Sequence, residues 1–242
     1  QSADKLVYED AAHPLRYVWA GLTEDERFLI LGIAEGTDGS EIKIRDLKDK
    51  KAKGFVTIVE GFKTNADVVD NMGDKILLRT NNEAPNFKLV LLDPKNPQPS
   101  NWKTVIAERK EPLDFVSTGG GKLFAGYLKD ANTLVNQHHM SGKLEHSIQL
   151  PGVGTASGFG SKKEEKDFYY TFTSFTYPPT VFKYDIATGK SSMYRKSEAK
   201  FDPAAFETKQ VFYTSKDGTK VPMFITYKKG LVPDGNNPTM LY

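Results

Sequence analysis

RFLILGI (27–33), DKILLRT (74–80), GKLFAGY (121–127) and DFYYTFT (167–173) are four versions of one apolar phrase. Aligned on the second residue they fall at Phe28, Lys75, Lys122 and Phe168, in steps of 47, 47 and 46 residues. A second landmark keeps the same beat. A turn opens on Asp46, Asp93, His138 and Asp185, in steps of 47, 45 and 47. Either series alone arises by chance. Two in one register mark a structural repeat, and a period of this length built from short apolar strands is that of a β-propeller blade.

Each repeat has room for four strands. The first reads YVWAGL (17–22), RFLILGI, SEIKIRD (40–46) and FVTIV (55–59), broken by TEDE, GTDG and a Lys/Asp-rich turn. The second reads ADVVD, DKILLRT, FKLVLLD and WKTVIA; the third LDFVST, KLFAGYL, TLVNQHH and KLEHSIQL; the fourth TASGFG, DFYYTFT, TVFKYDI and KSSMYR. The runs are β-branched and aromatic, and the breaks are Gly, Pro, Asn and Asp. The second strand of each set is the most apolar and the last the most polar, as a buried strand and an outer rim require. LVYED (6–10) reads as an outer strand of a preceding blade, and residues 1–195 contain no amphipathic helical pattern. The expected fold is all-β, a partial propeller of four four-stranded antiparallel blades at about 13–60, 61–110, 111–151 and 152–195.

Composition bounds the partners. Lys and Arg total 33 against 31 Asp and Glu, a net charge of +2, which gives no reason to expect nucleic acid or acidic lipid. No apolar run reaches 18 residues, so no membrane partner is expected. Zero cysteines exclude disulfide and thiol chemistry without choosing a compartment, and both periplasm and cytoplasm stay open. Gln1 is not an initiator methionine, and the chain is expected to be a piece of something longer.

The character of the chain changes after Arg195. KSEAKFDPAAFET (196–208) reads as a linker. It leads into KQVFYTS and KVPMFITYKKG with Asp217-Gly218 between them, the strongest short hairpin signal. A Pro/Gly/Asn loop follows, then TMLY (239–242) as the start of another strand.

The run QVFYTSKDGTKVPMFITYKKGLVPDGNNPTMLY (210–242) closely resembles the junction between propeller and catalytic domain in the prolyl oligopeptidase family of serine peptidases. The resemblance extends through FYYTFTSFTYPP (168–179) and DERFLILGIAEGTDG (25–39). It implies a seven-bladed propeller capping an α/β-hydrolase domain, of which residues 209–242 would be the first strands. At about 47 residues each, seven blades need roughly 330 residues, so about three would precede Gln1. It implies a parent protein that hydrolyses short peptides on the carboxyl side of proline by acyl transfer through serine, with the propeller excluding folded proteins. No metal or other cofactor is implied. The family's oxyanion tyrosine would fall two residues past Tyr242, and no Gly-x-Ser-x-Gly occurs in this chain, so no catalytic residue is assigned here. Two other readings stay open: a non-catalytic propeller that binds a peptide or protein, and a dipeptidyl or acylaminoacyl peptidase relative, against which the TSKDGTKVPMFI wording argues.

By the same resemblance, the loop Ala34-Glu35-Gly36-Thr37-Asp38 matches one that faces the catalytic cleft, usually Arg-Glu-Gly-Cys, and Tyr17 matches a methionine of the same region. Tyr17, Ala34 and Thr37 are therefore the candidate substrate-binding residues, with a charge and a thiol missing from the usual set. The other candidates read as plain structure. Ser157 and Ser161 sit in a turn without elbow spacing. Adjacent His138 and His139 point to opposite faces of a strand, so with His146 they make no metal set. Glu164-Glu165 lies in a Lys-rich solvated loop, Gly119-Gly120-Gly121 leads into a strand and not a helix, and Trp102 is packing. The exposed faces of the first and last blades should favour self-association.

Overall fold

The computed structural model describes residues 3–51 and 54–242. Gln1 and Ser2, and Ala52 and Lys53 of the Lys/Asp-rich turn, lie outside the described residues. Four antiparallel sheets of four strands follow one another along the chain. The first holds β1 (Tyr17–Leu22), β2 (Phe28–Ala34), β3 (Glu41–Asp46) and β4 (Val56–Val59). The second holds β5 (Ala66–Met72), β6 (Lys75–Thr80), β7 (Lys88–Leu92) and β8 (Lys103–Ile106). The third holds β9 (Leu113–Gly119), β10 (Lys122–Lys129), β11 (Asn132–His139) and β12 (Leu144–Ser147), and the fourth β13 (Thr155–Ser157), β14 (Asp167–Ser174), β15 (Tyr177–Asp185) and β16 (Lys190–Arg195). Strands pair in chain order within each sheet, and the four apolar phrases are the second strand of their blades. The first strands β5 and β9 approach each other, as blades converging on one axis must. A groove of about 750 Å³ runs between the inner strands, lined by Asp67, Val68, Phe115, Ser117 and Gly160 among others.

What joins the blades is apolar burial between their faces. Between the first and second lie Phe28, Ile42, Ile44, Ile76, Leu78 and Val90. Between the second and third lie Leu77, Leu89, Leu123, Ala125 and Tyr127. The third interface is aromatic. Phe115, Phe159, Tyr170 and Phe182 stack in succession at centroid separations of 5.8, 4.8 and 5.4 Å, while Phe124 meets Phe168 edge-on at 4.8 Å. The Tyr184 hydroxyl donates to Gln137 Oε1 at 2.7 Å; with that proton committed, His146 Nε2, 2.8 Å away, is the donor to Tyr184. Burial pushes the Tyr184 phenol well above its ordinary value.

The ladders correct the repeat register by one residue at two places. Phe28 pairs with Asp46, Lys122 with His139 and Asp167 with Asp185. The residue equivalent to Phe28 in the fourth blade is thus Asp167, not Phe168, and the third-blade equivalent of Asp46 is His139, not His138. A slip of one residue moves a side chain to the other face of the sheet. Accordingly Phe168 packs back onto the third blade and Tyr169 is exposed.

The turns between first and second strands gather at one end of the blades and the loops between second and third strands at the other. At the turn end, the triple glycine makes a two-residue hairpin: Gly119 pairs with Lys122, and Gly120 and Gly121 have φ of 55° and 70°. A Cβ on Gly120 would also lie 2.5 Å from Ile186 Cδ1. The Lys-rich loop 162–166 is exposed throughout, and its backbone also makes two ties to neighbouring turns. The Lys162 carbonyl accepts from the Gly120 amide at 3.0 Å, and the Lys163 amide donates to Glu24 Oε1 at 2.7 Å, tying the fourth blade to the first.

The hairpin after the blades comprises β17 (Phe206–Thr214) and β18 (Lys220–Lys228), turned at Gly218 with φ 86°. It begins inside the stretch read as linker, directly after a 3₁₀ turn, Pro203–Ala205, capped by the Asp202 carboxylate. It rests on the loop end of the propeller: Phe224 meets Phe175 at 5.6 Å, and Gln210 donates to the Asp130 carbonyl. Two expected strands are absent. LVYED forms no ladder, Tyr8 packing instead edge-on to Phe55, and TMLY pairs with no strand among the described residues. Trp102 lies just before β8, not on it, with its indole N–H on the Pro97 carbonyl and its ring against the first interface.

Candidate functional site

The ladder of β1 with β2 places Tyr17 directly opposite Ala34. Ala34 is buried at the end of β2, Tyr17 is 66% exposed, and Thr37 is exposed in the loop that follows. Tyr17 and Ala34 are thus cross-strand neighbours, with Thr37 three residues beyond. All three lie at the end of the propeller on which the hairpin rests.

Two residues that the sequence reading passed over organise this region. Continuing the ladder by one step sets Arg16 against Glu35, and their side chains do meet. Arg16 Nε and Nη2 both reach Glu35 Oε1, at 3.0 and 2.5 Å, while Nη1 reaches Asp10 Oδ2 at 2.9 Å. Glu35 foremost, then Asp10, holds the guanidinium charge and raises its pKa against the opposing effect of burial. Burial raises the Asp10 carboxyl, but its bonds to His13 and Arg16 prevail and leave it below its ordinary value. The Arg16 guanidinium also sits 4.8 Å from the Phe62 ring centroid. A pocket of about 380 Å³ opens here, lined by Ala12, His13, Pro14, Leu15, Arg16 and Glu35.

On the other side of Thr37, Asn65 takes hold of the loop. Its Nδ2 donates to Asp38 Oδ1 at 2.5 Å, and its Oδ1 accepts from the Gly39 amide at 2.8 Å. The Ser40 amide donates to the Thr64 carbonyl at 2.9 Å, and the Asn65 amide donates to Asn81 Oδ1 at 2.8 Å. The loop is therefore coupled to the second blade.

No group of three or more metal-ligating side chains forms among the described residues. The three clustered histidines each have a local environment of their own: His138 Nδ1 lies 2.9 Å from the Gly142 carbonyl, His139 bonds Ser141 and His146 bonds Tyr184. A carbonyl only accepts, so His138 carries its proton on Nδ1. Its buried Nε2 is a lone pair without a partner among the described residues. Burial, together with Arg109 nearby, pushes the imidazole below its ordinary value, against opposing effects of the Gly142 bond and Glu145. The unfolded chain takes up a proton below about pH 6.5 where the folded chain resists it. Stability contributed here is whole above that pH and is lost as pH falls through it, by at most about 1.4 kcal/mol per pH unit. Urea midpoints between pH 7.5 and 5.5 should fall less for His138→Gln than for the wild type. Parallel slopes would show that the lone pair is not a buried neutral base.

A four-bladed arc bearing an extra hairpin defines a propeller-type domain, with its conspicuous loops and its docked hairpin at one end. Residues 1–197 match the family model described as the prolyl oligopeptidase N-terminal β-propeller domain. The chain belongs to the prolyl oligopeptidase family. It is 50% identical, over all 242 of its residues, to a prolyl endopeptidase of Elizabethkingia meningoseptica, of which it covers 34%. It superposes with a TM-score of 0.87 and 34% identity on a chain from a structural study of two prolyl endopeptidases, covering 96% of this chain and 34% of that one. Prolyl oligopeptidase B of Galerina marginata, solved with a 35-residue hydrolysis and macrocyclisation substrate, superposes with a TM-score of 0.84 at 27% identity, over 95% of this chain and 33% of that one. The chain thus spans about a third of the length of the relatives it matches.

Proposed function

We propose that this chain is the access-limiting part of a serine peptidase that cleaves short peptides on the carboxyl side of proline. The observation that carries the reading is the seating of β17 and β18. The hairpin whose sequence resembles the opening strands of the α/β-hydrolase domain rests on the same end of the blades as Tyr17, Ala34 and Thr37. A catalytic domain continuing from it would face these residues, and a peptide held between the two would have them as its outer contacts. Residues 1–195 serve as propeller and the chain from Phe206 onward as the start of the catalytic domain, with 196–205 joining them.

The chemistry needs a nucleophile, a base and oxyanion donors. With no Gly-x-Ser-x-Gly in its sequence, the 242-residue chain should release no chromophore from a Gly-Pro-linked substrate above buffer level. A longer protein carrying the catalytic domain should release it, and a serine-directed phosphonate should block that release. No proline-specific cleavage by the longer protein would sink the reading, as would phosphonate-sensitive release by the 242 residues alone.

The isolated arc also exposes apolar side chains at both ends, with Val18 and Leu22 on β1 and Tyr169 and Tyr194 on the fourth blade. Self-association of this chain follows from covering them. Light scattering at about tens of micromolar should find more than a monomer; a clean monomer counts against the idea.

A further inference from the structure

The exposed loop 35–38 is fastened at both shoulders by side chains from outside it. Arg16 grips Glu35 through two nitrogens, and Asn65 grips Asp38 and the Gly39 amide. Between the grips, Gly36 has open space around it and Thr37 stands free at the apex. Neither grip belongs to an apolar core. Each draws on a different strand connection, Arg16 from the segment entering β1 and Asn65 from the segment joining the first blade to the second. An unfastened loop would sample many shapes, and a peptide that touched its apex would have to order it on binding.

We propose that Arg16 and Asn65 are positioning residues that hold the Thr37 apex in place for the part of a peptide substrate remote from the cleaved bond. This rests on the peptidase reading above. Arg16 itself is paired with two carboxylates, Glu35 and Asp10, which neutralise its charge, so it is not taken as a charged contact for the peptide. It acts through the loop, keeping the apex amides and the Thr37 hydroxyl preformed as hydrogen-bonding partners for an extended backbone.

Two measurements test this. In the 242-residue chain, hydrogen exchange of the Gly39 amide, the loop amide that Asn65 Oδ1 accepts from, should quicken at least about ten-fold in Asn65→Ala and by a smaller factor in Arg16→Met, while β2 amides keep their wild-type rates. The charge swap Arg16→Glu with Glu35→Arg, made together with Asp10→Asn so that the new carboxylate meets no like charge, should restore slow exchange, and Arg16→Lys, which keeps the charge but loses the fork, should fall between. In the longer protein, KM for a peptide with several residues before proline should rise about five- to ten-fold relative to KM for a minimal Gly-Pro substrate, with kcat little changed. Unaltered loop exchange overturns the proposal. So does faster exchange with an unaltered KM ratio, or an equal loss on both substrates. A wild-type longer protein that cleaves neither substrate overturns the peptidase reading and this proposal with it, and the wild-type assay alone reveals that case.

Discussion

Phe168→Ala is expected to destabilise the chain by about 3–5 kcal/mol, the usual cost of deleting a fully packed aromatic ring. The ring is 3% exposed and touches Phe124, Tyr184 and Phe159 at centroid distances of 4.8, 5.0 and 5.8 Å. Those neighbours cannot close the gap cheaply. Tyr184 is held by Gln137 and His146, and Phe159 lies within the ring stack. The next residue supplies the control. Tyr169 is 44% exposed on the opposite face and meets the Tyr194 ring at 4.7 Å. Tyr169→Ala should cost less than about 1 kcal/mol. Urea unfolding with an unchanged m-value measures both. The reverse ranking would mean that Tyr169, and not Phe168, faces the third blade.

Gly39→Val is expected to cost about 2–5 kcal/mol. Left-handed backbone at φ 78° contributes about 1–2 kcal/mol with any side chain, and overpacking about 1–3 more. The obstacle is rigid: a Cβ would lie 1.9 Å from the Phe62 carbonyl oxygen, on a segment that also bonds Ser40 through Thr64. Gly36→Ala, in the same loop, meets nothing within 4 Å and has no left-handed φ, so it should stay within about 0.5 kcal/mol of wild type. Equal losses at the two glycines, measured by thermal or urea unfolding, would refute the close approach.

The blades were legible because each repeats the same burial problem. A second strand flanked on both faces by neighbours must be apolar throughout, and that recurs every 45–47 residues. The same property hid the register. In Phe168-Tyr169-Tyr170-Thr171-Phe172 there is no alternation of polar and apolar to say which face each residue takes. His138 against His139 was ambiguous for a related reason, since one is buried between blades and the other exposed although the residue type is identical. The hairpin was plain from Asp217-Gly218, but its start was not. Phe206, Glu207 and Thr208 carry no strand pattern of their own and pair because Lys228, Tyr227 and Thr226 lie opposite them.

Arg16 could have been found from the sequence. Once Tyr17 is set opposite Ala34, the preceding and following residues form an opposite-charge cross-strand pair. Asn65 could not. Its grip on Asp38 depends on how the second blade stacks on the first, which no local pattern records. His138 was equally opaque, because an orphaned lone pair exists only once the blades have closed around it.

The bond from Lys163 to Glu24 has a consequence in time. It joins residues 139 apart in sequence, whereas every sheet of the protein is built from strands that are consecutive in the chain. Hairpins close over short separations in microseconds, and long loops lose more entropy before any contact rewards them. Each blade can therefore assemble by itself, in any order, from contacts of low sequence separation. The tie between the fourth blade and the first must wait until all four are stacked, which makes it a late event in folding and an early one to yield when the arc opens.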